Sequence, residues 1–473
     1  MIGRHGGRHM PPAAAFSALD SARFWRKMKV TEKNWEAFKM IEQLIREERR
    51  TPVAGTCDVL VVGGGLAGVS AAAAAARLGK KVILLEKSIV LGGLATLGHV
   101  CVYLPICDGQ GNRVFGGQAE EFMRICAKYS YNTIPECWQP GTKRVEMPAK
   151  RYSSEFNIPA CILALDELTQ DLGIEVVFDT VFCDTVMEGD RCRGVIVENK
   201  SGRIAYLADY IVDASGDADV CFRAGCQCES LPNIVSHWTY EIDTEHIRAN
   251  LDSGEARKLI SMRWFGLRPD ADNSKTEIPQ YYGDTAEGVN GYIRTSRKLA
   301  LDYLKKNDRP GLAMLTLPFM PQFRMTRRLV GLEEFQLHGE HVPNSVGVVC
   351  HSMENPAAHH EFPYGALIDR RVENLLVAGR MVSAGGYAWE IARTIPCCVF
   401  TGQAAGTAAA LALDQGKRPL QELDVAPLQK TLEETGVTIH MEEEFLHGVS
   451  EKKFNHAPKE SGMSGIKLDT LAY

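Results

Sequence analysis

The chain has 473 residues, of which 45% are hydrophobic and 24% charged, and its formal net charge is −6. This length predicts about two or three structural units, and the lack of a basic field excludes nucleic acid as an expected partner. The longest apolar stretch, Leu66 to Ala76, is shorter than the ~20 residues that cross a bilayer, so no membrane span is expected.

Fourteen cysteines occur, but no pair has C-x-x-C spacing. That pattern disfavours zinc ribbons, iron–sulfur clusters and thioredoxin-like pairs, so we expect free thiols and no metal. Cys221, Cys226 and Cys228 form the closest cluster of three and are interpreted as buried or half-buried free thiols. No secretory signal is recognised, and a reducing, cytoplasmic location is expected.

The first predicted element is a helix over residues 16–50, where apolar residues such as Trp25, Met28 and Trp35 recur at helical spacing. We interpret it as a peripheral extension, and a homo-oligomer built through it is one open option.

A strand–turn–helix–strand unit follows. Asp58 to Val62 reads as a buried strand, Val69 to Leu78 as a helix that ends at Gly79, and Lys81 to Leu85 as a second strand. Between the first strand and the helix lies a Gly-x-Gly-x-x-Gly turn, and Glu86 ends the second strand. This order predicts a dinucleotide-binding unit.

Each glycine of that turn has a physical role. Gly63 permits the tight turn, Gly65 lets a pyrophosphate approach the backbone, and Gly68 lets the helix pack on the sheet. The helix begins with Leu66 and Ala67, whose N–H groups are expected to face phosphate. Glu86, beside Lys87, is expected to accept hydrogen bonds from ribose hydroxyls, and an acid there disfavours NADP.

The later elements are of mixed type. Residues 173–213 predict an antiparallel meander with strands at 176–187, 192–198 and 204–207, which leads into a strand from Tyr210. Residues from about 230 to 347 predict a mixed α and β region with a helix at 291–306. A strand at 372–378 and helices at 396–413 and 427–436 follow, before a polar end that is expected to fray.

Four further motifs decide between cofactors: Leu91-Gly-Gly-Leu-Ala-Thr96, Asp213-Ala-Ser-Gly-Asp217, Asn374-Leu-Leu-Val-Ala-Gly-Arg380 and Gly402-Gln-Ala-Ala-Gly406. With them the chain resembles the FAD-dependent oxidoreductases of the glutathione-reductase-like, two-dinucleotide-binding flavoprotein superfamily. The resemblance runs from Cys57 to Gly436, with a less recognisable middle. It implies an α/β fold, in which a Rossmann-like FAD-binding domain has a central parallel sheet, a β-meander and an inserted α+β substrate domain.

The resemblance also implies a domain order and a set of FAD contacts. The predicted segments are an N-terminal helical extension (1–54), the FAD-binding domain (55–229 and 363–416), an inserted substrate or cap domain (230–362) and a C-terminal helix and tail (417–473). The implied contacts to the ADP half and the pyrophosphate are Gly63, Gly65, Leu66, Ala67, Gly68, Glu86, Lys87, Gly92, Gly93, Leu94, Ala95 and Thr96. Those at the adenosine and ribityl sides are Ala214, Ser215, Gly216, Gly379 and Arg380.

The last long helix offers a further contact. Pro396 suits its first turn, so its N-terminus is expected to point at the flavin C2 carbonyl and N1, with N–H groups of Ile395, Cys397 and Cys398 as donors. Simple packing of this helix on the sheet is the alternative, and the two are compatible.

The candidate catalytic residues are less specific, because each also has an ordinary structural explanation. They are His99, for a catalytic or covalent flavin role, His359 and His360, and Tyr387 with Arg393. Arg324, Arg327 and Arg328 form a basic set that is able to bind a carboxylate or to make structural ion pairs.

The chain lacks a second Gly-x-Gly-x-x-Gly unit for a nicotinamide cofactor. This favours direct hydride transfer between the flavin N5 and a small-molecule substrate, with an unidentified electron acceptor or donor completing the cycle. The alternatives are a flavin-bearing electron-transfer subunit of a multiprotein redox complex, an NAD-binding Rossmann enzyme, and a non-catalytic FAD module.

Overall fold

The computed structural model describes residues 47–109, 112–131, 134, 153–267, 276–337, 339–351 and 357–445. Residues 51–473 form a compact unit of their own, separate from residues 1–50. The predicted N-terminal helix lies outside the described residues except for residues 47–50, which have no regular structure, and the predicted frayed end beyond 445 also lies outside them.

The strands, in chain order, are β1 (Val53–Val62), β2 (Val82–Leu85), β3 (Val102–Tyr103), β4 (Ser154–Glu155), β5 (Glu175–Val177), β6 (Val181–Glu188), β7 (Arg191–Asn199), β8 (Gly202–Asp213), β9 (Cys228–Ser230), β10 (Pro232–Asn233), β11 (Ser236–Asp243), β12 (Ser261–Gly266), β13 (Tyr281–Tyr282), β14 (Leu312–Met314), β15 (Arg327–Leu329), β16 (Ser345–Cys350), β17 (His359–Pro363) and β18 (Leu375–Val377).

The helices are α1 (Leu66–Arg77), α2 (Gln118–Ala127), α3 (Ile158–Asp171), α4 (Asp219–Arg223), α5 (Thr244–Asn250), α6 (Ala286–Lys306), α7 (Gly386–Ala392), α8 (Ile395–Asp414) and α9 (Val425–Glu434).

The central sheet has seven strands in the order β5-β2-β1-β8-β7-β6, with β18 also paired to β8. β1 pairs in parallel with β2 and β8, and its last four residues are fully buried. Strands buried on both faces read as continuous apolar runs, which is why the sequence signal at 58–62 was clear. The predicted α/β fold with a central, mostly parallel sheet is confirmed.

Strand β8 joins the two kinds of pairing. Its first half pairs antiparallel with β7, from Gly202 to Leu207, and its last three residues pair in parallel with β18. It is one strand of 12 residues, so the two strands predicted at 204–207 and from Tyr210 are wrong as separate elements. Residues 208–210 stay extended because β1 pairs with β8 through this stretch.

The predicted meander also starts later than expected. Residues 175–177 form β5, which pairs in parallel with β2 at the edge of the sheet, and Asp179 turns the chain at φ +50°. Only β6, β7 and β8 form the antiparallel meander. By contrast, β1 begins earlier than predicted, at Val53, which is five residues before Asp58.

The middle of the chain forms small antiparallel sheets, the largest being β12-β11-β14. Helix α6 packs beside them and buries Tyr292 against Val235 and Phe323 in a small core of its own. Two further two-stranded sheets complete this part of the fold: β15 pairs antiparallel with β9, and β16 forms a hairpin with β17. The predicted mixed α and β composition agrees with this arrangement, while the predicted domain borders stay predictions.

Helix α8 lies in the core against α1. A Cβ on Gly402 would lie 2.2 Å from the carbonyl oxygen of Ala67, and one on Gly406 would lie 2.1 Å from that of Ala71. Glycine is therefore required for this close helix contact. By length and composition α8 is also apolar enough to cross a membrane, the one such helix in the described ranges, but 83% of its most apolar stretch is buried inside the fold.

Beyond α9, the chain runs along the hairpin. Val348 N–H donates to the carbonyl of Thr438, and the Ser345 hydroxyl donates to that of Ile439. The cysteines that the structure describes are all free, as expected for thiols, and their cellular location stays a prediction.

Candidate functional site

The predicted phosphate turn connects β1 to α1 and closes against β8. Gly63 has φ +109°, and a Cβ on it would lie 2.3 Å from the carbonyl oxygen of Ala214. A Cβ on Gly68 would lie 1.8 Å from the carbonyl oxygen of Gly63. Both glycines are thus fixed by packing. Gly65 differs, because a Cβ there would meet no atom within 4 Å.

The start of α1 presents free donors beside Gly65. The helix has no side-chain cap, and its first backbone hydrogen bond runs from Val69 N–H to the carbonyl of Gly65. The N–H groups of Leu66, Ala67 and Gly68 therefore have no acceptor among the described residues. Together with the helix dipole, such donors form a binding site for phosphate.

Glu86 is held at the end of β2, almost fully buried. One carboxylate oxygen accepts the N–H of Gly64 at 2.7 Å and the other accepts that of Ser88 at 2.7 Å. These bonds fix the carboxylate beside the turn, where each oxygen retains a lone pair for a hydroxyl donor. The neighbouring Lys87 is exposed.

The second glycine loop lies directly on the first. Gly92 N–H donates to the carbonyl of Gly64 at 2.8 Å, and a Cβ on Gly93 would lie 3.1 Å from Gly65 Cα. Thr96 holds the short helical turn at Gly93–Ala95, which includes the half-buried Leu94, because its hydroxyl donates to the carbonyl of Leu91 at 2.7 Å. The loop that is expected near the pyrophosphate therefore lies next to Gly65.

The segments after β8 and β18 meet at one ion pair. Gly216 has φ +87°, and its carbonyl accepts the Arg380 Nε–H at 2.6 Å. The Arg380 guanidinium also contacts Asp217 at 2.7 Å and the carbonyl of Phe323 at 2.6 Å. Arg380 thus joins three chain segments, and the contact of this side chain with phosphate stays a prediction.

Asp213 and Gly379, which lie close in sequence to the Asp217–Arg380 ion pair, are both held by hydrogen bonds. Ser215 N–H and Cys221 N–H both donate to the buried Asp213, whose pKa burial raises to about 6. Gly379 has φ +89°, and its N–H donates to the hydroxyl of Thr401 at 3.0 Å.

Helix α8 starts beside this region without a side-chain cap. The N–H of Cys398 donates to the carbonyl of Thr394 at 2.8 Å, so this donor, expected to face the flavin, is used inside the helix. Those of Ile395 and Cys397 have no acceptor in the described part of the chain. Burial raises the pKa of the Cys398 thiol to about 12 and that of Cys397 well above its ordinary value, so both stay thiols.

His99 follows the second loop at φ +58° and is buried. Its carbonyl accepts the indole N–H of Trp238 at 2.6 Å, and its Nδ1 lies 3.3 Å from the hydroxyl of Thr316. Burial lowers the pKa of His99 to about 4, so the ring is neutral at neutral pH. The Cys101 thiol contacts the Tyr240 hydroxyl, and burial raises the pKa of that thiol to about 11.

His359 and His360 are adjacent on β17, and their side chains therefore point to opposite faces. His359 Nε2 lies 3.1 Å from Asp108, and its ring stacks on Phe445 at 4.0 Å between centroids. The His360 ring is fully buried. The two rings therefore have different surroundings, and the catalytic roles of His359 and His360 stay predictions.

Tyr387 lies in the first turn of helix α7, and Arg393 directly follows that helix. The Tyr387 ring stacks on His351 at 4.9 Å between centroids. Arg393 donates from Nε to Glu390 at 2.6 Å, and the second oxygen of Glu390 is buried without a partner among the described residues. A buried carboxylate oxygen without a donor is unfavourable, so this oxygen is a candidate contact for another group.

The predicted basic set separates into two kinds of arginine. Arg327 pairs with Asp219 at 2.6 Å, and Arg328 pairs with Glu229 at 2.7 Å, so both are structural. Arg324 has no carboxylate partner in the described ranges. Its guanidinium donates to the carbonyl of Gln322 at 2.6 Å and lies over the Trp238 ring.

Comparison with known proteins assigns the family. The family model of FAD dependent oxidoreductases matches residues 58–233 and 324–432, more than half of the chain. The chain belongs to the FAD-dependent oxidoreductase family. The match confirms the resemblance seen in the sequence, and FAD is the cofactor. Residues 234–323, which include Trp238, lie outside the match.

Individual proteins also resemble the chain, at low sequence identity. Thiamine thiazole synthase from Methanococcus vannielii is 28% identical over 174 residues, which are 34% of this chain and 58% of that protein. The chain thus covers less than two thirds of that relative. The structure of a geranylgeranyl bacteriochlorophyll reductase-like protein from Thermoplasma acidophilum matches with 13% identity and a TM-score of 0.37, over 83% of this chain and 95% of that protein. The structure of p-nitrophenol 4-monooxygenase from Pseudomonas putida matches with 12% identity and a TM-score of 0.40, over 80% of this chain and 88% of that protein.

The site fits FAD on three observations. The space beside Gly65 is open to a ligand, the first N–H groups of α1 have no acceptor, and Glu86 is fixed at the end of β2. In this FAD-dependent oxidoreductase the two glycine loops would hold the pyrophosphate, and the start of α8 would face the flavin ring. The individual FAD contacts stay predictions.

Proposed function

We propose that this FAD-dependent oxidoreductase transfers hydride between a small organic substrate that carries a carboxylate and the flavin N5. One observation supports the substrate class: Arg324 is half-buried and has no carboxylate partner among the described residues. An arginine withdrawn from water is normally paired, because an uncompensated charge is expensive to bury. An anionic substrate would supply the missing partner.

The surroundings of Arg324 support this interpretation. Burial lowers the pKa of Arg324 to about 10, and the positive charges of Arg393 and Arg380 add to the shift. Tyr292 and Glu390 act in the opposite direction. The guanidinium remains charged at neutral pH in a positive environment, which favours an anion.

Arg324 is also linked to the second glycine loop. Gln322, whose carbonyl accepts from Arg324, donates through its side-chain amide to the carbonyl of Gly98 at 2.6 Å. Trp238, under the guanidinium, donates to His99 in the same stretch. Arg324 is thus linked to the second glycine loop through Gln322 and Trp238, and its charge also interacts with Arg393 and Glu390, which lie just before α8.

Bound FAD supplies the hydride acceptor or donor, its N5 atom. Within the protein, Arg324 binds and orients the substrate carboxylate through two parallel N–H donors. Arg393 holds Glu390 through one carboxylate oxygen, and the buried second oxygen takes up or delivers the substrate proton. His99, neutral and adjacent to the loop, is the other candidate for that proton.

The carboxylate requirement can be tested without a known substrate. The purified flavoprotein is titrated anaerobically with small carboxylates (2-hydroxy acids, 2-enoic acids and dicarboxylates) and with the corresponding neutral amides. The flavin visible absorption is then followed for perturbation or bleaching. We expect responses to acids but not to amides, and Arg324→Gln should weaken the acid response by about 10- to 100-fold, as for the loss of a charged hydrogen bond.

Arg193→Gln is the matched control, because Arg193 lies on β7 with its side chain 48% exposed. It should leave the titration unchanged. Equal responses to acids and amides, or an unchanged Arg324→Gln protein, would contradict the proposal. Turnover that needs a copurifying protein would favour the electron-transfer subunit instead.

A further inference from the structure

Two histidines and a glutamate converge on the hairpin of β16 and β17, from three separate parts of the chain. His341 precedes β16, Glu361 lies on β17, and His440 follows α9. One ligand atom from each residue can be chosen so that all three lie within 4.8 Å of one another. His341 Nδ1 is 2.7 Å from one oxygen of Glu361, and His440 Nδ1 is 3.0 Å from the other.

The carboxylate of Glu361 is firmly positioned. It is fully buried, and its two oxygens also accept the backbone N–H groups of Val342 and Met441, at 2.7 and 2.8 Å. Burial by itself would raise the pKa of Glu361, but these bonds and the two imidazoles hold it below its ordinary value. The carboxylate of Glu361 is therefore ionised. The two residues that donate to it from the backbone, Val342 and Met441, directly follow His341 and His440 in the chain.

The two imidazoles border the solvent. The side chain of His341 is 47% exposed and that of His440 is 43% exposed, and their rings are nearly perpendicular at 5.5 Å between centroids. An ion between them would reach Glu361 on the protein side and water on the other. The carboxylate already has outer hydrogen bonds of the kind that orient metal ligands.

We propose that His341, Glu361 and His440 bind a divalent transition-metal ion, with Zn²⁺ as the best-suited ion. Two imidazole nitrogens and one carboxylate oxygen form a ligand set that Zn²⁺ accepts, with a fourth position left to water. The Nδ1 atoms coordinate as neutral acceptors, so protons they donate to Glu361 are released or carried on Nε2. The ion connects the segment before β16, β17 and the segment after α9.

The test uses the whole flavoprotein, freed of metal with EDTA and titrated with ZnCl₂ by calorimetry. The chain also has histidines elsewhere, including His5 and His9, so the informative quantity is the difference between variants. We expect wild type to show one strong site that is weakened ~100-fold or more in the His341→Gln/His440→Gln protein, since even outer-shell changes weaken binding 10–100-fold.

His246→Gln is the control, because this histidine lies on α5 and contacts Asn250 and the carbonyl of Lys258. It should retain the strong site. Both changed side chains of the double variant are nearly half exposed, and retained flavin absorption verifies its fold. Zn²⁺ should raise the Tm of wild type and of the control but not of the double variant, since an ion that binds only the folded state stabilises it. Equal binding and equal Tm shifts in all three proteins would overturn the proposal and leave a hydrogen-bonded cluster.

Discussion

The guanidinium of Arg324 lies over the indole ring of Trp238, with Cζ 5.0 Å from the ring centroid. The indole N–H donates to His99, immediately after the second glycine loop. Trp238 belongs to the segment outside the family match. A part of the chain that the family does not define therefore positions the arginine on which the proposed substrate class depends.

Trp238→Leu should weaken carboxylate binding by about 10-fold, because a desolvated cation–π contact contributes up to about 2 kcal/mol. Trp238→Phe keeps a ring face and should lose less. The measurement is the anaerobic carboxylate titration, with flavin content as the check on folding. Binding that is unaffected in Trp238→Leu would show that the ring does not position Arg324.

Two glycines of one turn should respond in opposite ways to alanine. Gly65 has φ −64° and open space around a new Cβ, so Gly65→Ala should retain its stability but lose FAD, with flavin content falling about 10-fold or more. In Gly68→Ala the new Cβ would overlap the carbonyl oxygen of Gly63, and we expect about 3 kcal/mol or more of lost stability.

The measurement is FAD content together with denaturant unfolding of both proteins. A Gly65→Ala protein that binds FAD as wild type does would remove this backbone from the cofactor site.

Arg380 should matter for stability far more than an ordinary exposed arginine. Its side chain is 12% exposed and joins Asp217 to two carbonyls, so Arg380→Ala should cost about 3 kcal/mol through the unpaired acid. Arg371 forms an exposed pair with Asp190, and Arg371→Ala should cost less than about 1 kcal/mol. Urea unfolding of the two variants compares them directly. Similar losses would contradict the structural role of Arg380.

The buried His237 should make stability depend on pH. Burial, together with the charge of Arg324, lowers the pKa of His237 from 6.5 to about 4. Between pH 6.5 and pH 4, His237 is protonated in the unfolded chain but stays neutral in the folded chain. The stability is therefore fully present above pH 6.5 and is lost as the pH falls toward 4, by up to about 3 kcal/mol.

His237→Phe keeps the stacking on Phe265 and should reduce this pH slope by about one proton. The free energy of unfolding between pH 7 and pH 4 is the measurement, with His246→Gln as the control. An identical slope in His237→Phe and wild type would show that His237 is not the group responsible.

The sequence predicted those parts whose signals are local. The strand, turn, helix and acid from Asp58 to Glu86 occupy one short stretch, so spacing alone reveals the unit. The observed limits of β5 and β8 differ from the predicted ones. The reason is that β5 pairs with β2, and β8 with β1 and β18, which are all far away in the chain.

The roles of charged side chains were less accessible to sequence reasoning. Arg327 pairs with Asp219 across 108 positions, and Arg380 with Asp217 across 163, so no pattern separates them from Arg324. The same holds for His341, Glu361 and His440, which no local metal motif connects; the expectation of no metal site rested on cysteine spacing. Only the folded chain shows which charges have partners.

The most direct test of the account is the visible spectrum of the purified protein before and after acid precipitation, with the released cofactor identified. We expect a flavin spectrum, about one cofactor per chain, and FAD in the supernatant. Colour retained in the pellet would show covalent flavin and direct attention to His99. A colourless protein that FAD does not reconstitute would contradict the assignment of the two glycine loops.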